Sequence, residues 1–388
     1  MSMLQEQDKA FVANTYARFP VEILHGTGSK MYDGEGKCYI DMGSGIAVNS
    51  FGIADEAWKE AVIAQLNKVQ HTSNLYYTEP CARLAQMLCE RTGLKKVFFG
   101  NSGAEANECA IKVARKYAAE KKGAEYSTVV TLMNSFHGRT LTTLAATGQE
   151  HYHELFQPLT PGFVHTPAND LAALQEIVAT HKVAGILVEC VQGEGGVIAL
   201  DAEFVRGVAE LCKKEDIIFM VDEVQTGNGR TGELYAYMHY GVSPDVVTTA
   251  KGLGGGLPIG ACMLGEKVQN VLGFGDHGST FGGNPVACAG ACSILSRLDD
   301  ALLAAVREKS AYIFDTLKNA KGVKSVSGMG LMIGIETEKL ASEVVKSCIA
   351  RGVLCLTAKN KVRLLPALNI PMDDLKTAIR TLCAVLAE

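Results

Sequence analysis

Two charged residues close apolar runs in this sequence: Asp222 in IIFMVDEVQTGNGRTG and, 29 positions further on, Lys251 in DVVTTAKGLGGGLPIG. A lysine held in apolar surroundings gives up its proton readily, and the free amine can form an imine with a carbonyl carbon. A carboxylate at the same edge can hold a protonated heteroaromatic nitrogen and so keep the ring an electron sink. Upstream, VFFGNSGAEANECAIKVARKY reads as a strand, a tight turn and a helix, with Asn101, Ser102, Gly103 and Ala104 in the turn and helix start. Small residues there let backbone N–H groups approach an anion at the positive end of the helix, and Ser102 adds a hydroxyl donor. Singly, each has a plainer reading: Ser102 capping its helix through Glu105, Asp222 capping a turn, Lys251 solvated or ion-paired. Together they describe a site for a molecule with a phosphate, a basic ring nitrogen and a carbonyl.

Other phosphate and metal chemistries fit poorly. GTGSK and GEGK lack the spacing of G-x-x-x-x-G-K-[ST], and no G-x-G-x-x-G opens a helix after a strand. The glycines of KGLGGGLPIG lead from one apolar strand into another, GACMLG. His151 and His153 form an H-x-H with no third ligand in view, so exposed polar histidines are expected rather than a metal site.

Residues of this kind need elements that carry them to one edge of a sheet. From about residue 55, amphipathic stretches (EAWKEAVIAQLNKV, EPCARLAQMLCERT, SGAEANECAIKVARKYAAEK, AEFVRGVAELCKKE) alternate with short β-rich runs (KVFFGN, STVVTLM, VAGILVEC, IIFMVDE, DVVTTA, GACMLG). The last runs lack polar alternation, as expected of parallel strands covered on both faces. This predicts an α/β fold with right-handed crossovers and its ligand site at the carboxyl ends of the strands. The opening fifty residues read as short strands and turns. After residue 285 come long helices and then VKSVSGMGLMIGIE, VLCLTA and KVRLLPA, a small α+β unit. The expected division is 1–55 contributing to the small domain, 56–284 as the large domain, and 285–388 as the C-terminal small domain.

Composition narrows the setting. A chain of 388 residues, 47% hydrophobic and 20% charged, can bury a large core without disulfides or metals. Net charge is −5, with no basic block for nucleic acid. The twelve cysteines are scattered without any C-x-x-C, which favours buried, reduced thiols. No apolar run is long enough for a bilayer and MSMLQEQDKAF has no signal-like core, so a cytoplasmic protein is expected.

The motifs FFGNSGAEANE, SFHGRT, VECVQGEGG, VDEVQTGNGRTG, AKGLGGGLPIG and HGSTFGGNP occur in the order seen in class III (ornithine-aminotransferase-like) aminotransferases, which use pyridoxal 5′-phosphate (PLP). The resemblance runs from NTYARFPV at residue 14 to RLLPALNI at residue 370 and is greatest to the acetylornithine aminotransferases. It implies the type I fold of PLP-dependent transferases, a large domain with a mostly parallel sheet covered by helices plus a smaller α+β domain, in a homodimer with shared active sites. By the same resemblance, Lys251 is the catalytic Schiff-base lysine and proton shuttle, and Ser102, Gly103 and Ala104 hold the phosphate. Phe136 stacks on the ring, Val224 packs against it, Asp222 binds its nitrogen and Gln225 its phenolic oxygen. Thr280 reaches the phosphate in the neighbouring subunit.

For substrate, Arg139 after FHG and Arg363 in KVRLLPA are the candidate carboxylate clamps. By the same resemblance, Glu194 is a gate that neutralises an arginine in one half-reaction, and Tyr16 matches a substrate-facing tyrosine. Which arginine takes which carboxylate stays open. The implied reaction moves the δ-amine of N2-acetylornithine, or the amine of N-succinyl-diaminopimelate, to 2-oxoglutarate, as in arginine biosynthesis. Ornithine, succinylornithine and 4-aminobutyrate are the alternatives within the class. A PLP-dependent racemase, aminomutase or decarboxylase is a rival in chemistry, and a non-catalytic PLP-binding protein would need neither the lysine nor the arginines. Two departures from the class pattern concern the substrate: Cys190 where proline is usual, and no His-Pro after Gly52.

Overall fold

In the computed structural model, which describes residues 2–388, the alternation of apolar runs and amphipathic helices builds one seven-stranded sheet. Its strands are β1 (Lys96–Gly100), β2 (Thr128–Leu132), β3 (Phe163–Thr166), β4 (Val183–Val188), β5 (Ile218–Asp222), β6 (Val246–Thr249) and β7 (Gly260–Leu264). Their spatial order is β1-β7-β6-β5-β4-β2-β3. Every residue of β4, β5, β6 and β7 is buried, which accounts for their unbroken apolar text.

Parallel pairing joins β3 to β2, β2 to β4, β4 to β5 and β5 to β6. GACMLG departs from the expected parallel set: β7 runs antiparallel to both β6 and β1. A parallel return takes a crossover of about a dozen residues or more, and the link from Thr249 to Gly260 is shorter than that. In the β5–β6 register Asp222 lies opposite Thr248, so Asp222 and Lys251 leave the sheet at the same carboxyl edge.

Helices α1 (Glu56–Leu66), α2 (Glu79–Thr92), α3 (Gly103–Lys122) and α4 (Pro285–Ser296) cover this core. The small apolar residues Ala106, Cys109, Ala110, Val113 and Ala114 let α3 lie close against β7, β6 and β4. α4 packs on α1 and α2, tying the C-terminal part of the chain to the large sheet. The strands Ile23–Thr27, Lys30–Asp33 and Cys38–Asp41 form an antiparallel meander whose last member pairs in parallel with Val353–Leu354. A second four-stranded sheet gathers Val323–Met329, Met332–Thr337, Lys361–Leu364 and Leu356–Ala358.

Two local expectations change. The opening fifty residues are not all strand and turn, because Met3–Phe11 is a helix, started by a reciprocal capping box between Ser2 and Gln5. His153 is not an exposed histidine: its Nε2 lies 2.9 Å from the Leu144 carbonyl and 2.8 Å from that of Thr147, closing the end of a short helix.

The loop after β5 is anchored by Arg230, one of the largest fully buried side chains. Its Nη1 donates to the carbonyls of Leu331 (3.1 Å) and Pro366 (2.5 Å), bridging to the C-terminal unit. Burial pushes this guanidinium down to about 9, against the opposing charge of Asp41.

Candidate active site

A cavity of about 480 Å³ opens at the carboxyl edge of β5 and β6. Lys251 enters it from a tight turn at the end of β6, with φ of 44°, a left-handed conformation that a lysine adopts only under constraint from its surroundings. Burial lowers the pKa of its amine and the Arg363 charge works in the same direction, while Glu194, Asp222 and Glu189 oppose them. Lys251 is thereby biased toward the neutral, nucleophilic amine.

Asp222 ends β5 in the same cavity, with Val224 and Gln225 lining the wall beyond it and Phe136 facing them from the loop after β2. At the start of α3, the plainer sequence reading is also realised. Ser102 Oγ accepts from the Glu105 N–H (3.2 Å), and the Glu105 carboxylate takes the Asn101 N–H (2.7 Å) and the Ser102 hydroxyl (3.1 Å). The N–H groups of Gly103 and Ala104 have no hydrogen-bond partner among the described residues, and both residues line the cavity. That is a pair of donors free of protein partners at the N-terminus of a twenty-residue helix.

Close packing keeps the cradle open. A Cβ at Gly103 would stand 2.6 Å from Val224 Cγ1, and one at Gly260 would stand 2.1 Å from the Ser102 carbonyl oxygen. The donor pair, the Phe136 and Val224 side chains lining the same cavity, the carboxylate and the amine fit a planar, phosphorylated, carbonyl-bearing cofactor such as PLP.

The substrate side is split by depth. Arg363 is 3% exposed, and its Nη1 donates to Glu194 Oε1 (2.6 Å) and Gln225 Oε1 (3.2 Å). Burial works against ionisation of Glu194, but the charge and hydrogen bond of Arg363, together with Lys251 and the Gln225 hydrogen bond, hold the carboxyl below its usual range. Arg139 is exposed at the cavity mouth, its guanidinium 4.5 Å from the Tyr152 ring centroid and 5.8 Å from that of Phe136.

Ser102, Gly103, Ala104, Phe136, Arg139, Glu194, Asp222, Val224, Gln225 and Lys251 therefore line one cavity, with Arg363 directly behind Glu194. Tyr16 and Thr280 do not join them. Both are exposed, and neither lines the cavity of its own chain.

Three buried polar residues escaped the sequence reading: Asn107, His137 and Glu189. Glu189 accepts the N–H groups of Phe136 (2.8 Å) and Gly193 (3.3 Å), joining the loop of Phe136 and Arg139 to the loop of Glu194. Burial raises its carboxyl to about 7, and Asp222 adds to the effect. A signal for Asn107 was present: it falls in phase with Ala110, Ala114 and Tyr117 on the apolar face of α3, where a polar side chain needs a partner.

A family model described as aminotransferase class-III matches residues 11–386. The acetylornithine aminotransferase of Haemophilus ducreyi is 51% identical over 387 residues, covering 99% of this chain and 98% of that protein. The succinylornithine transaminase of Yersinia pseudotuberculosis is 44% identical over 388 residues, with 96% and 94% covered. Among solved structures, an ornithine aminotransferase from Toxoplasma gondii, whose description reports partial occupancy of PLP at its active site, superposes with a TM-score of 0.95 at 32% identity, covering 99% of this chain and 94% of that one.

Proposed function

This chain belongs to the class III aminotransferases, enzymes dependent on PLP, and we propose that it moves the δ-amine of N2-acetylornithine to 2-oxoglutarate. The observation that carries this reading is the placing of two arginines at different depths. Arg363 sits beside the reacting end of the cavity and is masked by Glu194, while Arg139 waits at the mouth. A donor that reacts through its δ-amine carries its α-carboxylate several bonds from the reacting carbon, within the province of Arg139. Glu194 then neutralises Arg363, which would otherwise have no anion to face. 2-Oxoglutarate brings a carboxylate next to its reacting carbon, and Glu194 swings off to let Arg363 take it, in a bidentate grip suited to a guanidinium. The mouth, where Arg139 is exposed, leaves room for the acyl group, and the 51% identity to an acetylornithine aminotransferase supports the same donor class.

For the cofactor, Gly103 N, Ala104 N and Ser102 would hold the phosphate, Phe136 and Val224 would flank the ring, Asp222 would face its nitrogen, Gln225 its phenolic oxygen, and Lys251 Nζ its carbonyl carbon. When bound, PLP supplies an electron-accepting ring that takes up the electron pair released at the amine-bearing carbon. Lys251 Nζ removes the proton from that carbon of the donor and returns it on the opposite side of the transferred nitrogen. Closure of Glu194 over Arg363 keeps water and the wrong carboxylate from the inner pocket. Thr280 and Tyr16 act across a homodimer. Their exposure in one chain, together with the bare apolar side chains of Leu75, Tyr76, Tyr77 and Phe274, supports that reading. The setting is the cytoplasm; no helix among the described residues is long and apolar enough to cross a membrane.

The test is a comparison of kcat/KM for N2-acetylornithine, N2-succinylornithine, N-succinyl-diaminopimelate, ornithine and 4-aminobutyrate, with glutamate formed from 2-oxoglutarate as the readout. N2-acetylornithine should lead. A preference for free ornithine or 4-aminobutyrate would overturn the donor assignment and leave the transaminase.

A further inference from the structure

Asp222 is gripped by a side chain that the reaction scheme above does not use. Asn107 projects from α3 into the core, with Nδ2 2.7 Å from Asp222 Oδ2 and 2.8 Å from the His137 carbonyl oxygen. Its Oδ1 lies 2.7 Å from Thr248 Oγ1. A backbone carbonyl can only accept, so the NH₂ end of the amide faces His137 and Asp222. The oxygen end must then face Thr248, and the Thr248 hydroxyl must be the donor. Every group in this chain of contacts is buried.

The remaining contacts of Asp222 complete the picture. His137 Nδ1 reaches the same Oδ2 at 2.8 Å, and the Val224 N–H donates to Oδ1 at 2.9 Å. Three N–H groups thus occupy a carboxylate that offers about four lone-pair sites, leaving one on Oδ1. Torsion about the bond that carries a carboxylate is soft, so the Val224 N–H on Oδ1 needs donors on Oδ2 to set the carboxylate plane. Two meet there, His137 Nδ1 from the loop after β2 and Asn107 Nδ2 from a packed helix, and the helix-borne donor is the one referenced to the strands. Thr248 stands opposite Asp222 in the β5–β6 ladder, so the far end of the amide is referenced to the same pair of strands.

We propose that Asn107, oriented by Thr248, is a positioning residue that fixes the plane of the Asp222 carboxylate so that its one free lone pair is presented to the ring nitrogen of PLP. This rests on the assignment of Asp222 as the partner of that nitrogen. An amide on an otherwise apolar helix face costs stability unless its bonds are made, and here all of them serve the floor of the site.

Holoenzyme variants test it, with PLP release on dilution, the pH at which the visible band of bound PLP titrates, and kcat and KM read side by side. Asn107→Leu should weaken PLP retention and lower kcat by about tenfold each, the scale of one buried hydrogen bond, with KM for 2-oxoglutarate little changed. Thr248→Val should act in the same direction by about threefold, and Thr248→Ser, which keeps the hydroxyl, should recover most of that loss. In an Asp222→Asn background, Asn107→Leu should add much less than it does alone. Variants that lower the melting temperature while leaving PLP retention and the band's pH dependence at wild-type values would reduce Asn107 to a packing residue and overturn the proposal. If Asn107→Leu fails to fold, the Thr248 pair decides by the same readouts. If Asp222→Asn itself leaves PLP retention and kcat intact, the assignment of Asp222 falls first.

Discussion

At the floor of the cavity, Asp222, Asn107, His137 and Thr248 are at most 4% exposed and hydrogen-bond to one another, whereas Tyr16, Tyr77 and Phe274, outside the cavity lining, are 72%, 106% and 112% exposed. The floor draws its members from β5, β6, α3 and the loop after β2, and one chain is enough to complete it. Tyr16 and Thr280 are assigned to the site by the class resemblance, yet neither lines the cavity of its own chain. The physical reason lies in what each must do. Asp222, Asn107 and Thr248 sit in a water-poor space where an unmet hydrogen bond is costly, and packing satisfies them in advance, while His137 Nε2 is left without a partner. The exposed groups outside the cavity carry no such cost, and the large apolar side chains left bare there are what the proposed homodimer would cover.

Changes at the floor should therefore cost more than changes outside it, and the comparison can be broken at several points. The largest effect belongs to Lys251→Ala, expected to lower kcat by about four orders of magnitude, since both the amine and the proton shuttle are lost. Retention of full activity in a transamination assay would remove the chemical basis of the site. Next comes Arg230→Met, which leaves the carbonyls of Leu331 and Pro366 without their buried donor. Urea unfolding should register a loss of about 3 kcal/mol, and a loss below about 1 kcal/mol would show that this guanidinium does not tie the β5 loop to the C-terminal unit.

Outside the cavity of its own chain, Thr280→Ala should loosen PLP by about tenfold, and the effect should require the dimer. Measured against protein concentration, an effect that persists in separated monomers would place Thr280 in its own chain's site. The smallest effect is the pH dependence of the Glu194–Arg363 pair. The folded pKa of Glu194 lies below its ordinary value, so the pair's contribution is present at neutral pH and is lost as pH falls through that lowered value. The stability difference between wild type and Glu194→Gln, about 1 kcal/mol at neutral pH, should shrink in acid, and a difference that grows in acid would contradict the pairing.

Most of the large sheet was legible because buried strands are written as unbroken apolar runs and their covering helices as amphipathic ones. The runs VAGILVEC, IIFMVDE and DVVTTA became β4, β5 and β6 within a residue or two at each end. The direction of β7 was not legible from its own text, since an apolar run reads the same in either direction; only the short link before it held the answer. The helix Met3–Phe11 was missed because its signal is a local cap between Ser2 and Gln5 rather than an apolar stripe, and none of its residues is buried.

What the sequence determined by itself is the kind of chemistry: an amine and a carboxylate ending neighbouring apolar strands, and a small-residue turn opening a long helix. Those features are local, set by apolar periodicity and by which residue follows a strand end, so they survive in one dimension. Tertiary structure alone decided that Asn107 meets Asp222 across 115 positions and Thr248 across 141, that Glu194 covers Arg363 across 169, and that Tyr16 and Thr280 stay outside. Such contacts depend on the β5–β6 register, the line of α3 over the sheet and the turn of each side chain, and a hydrogen bond tolerates only a few tenths of an ångström of error in any of them.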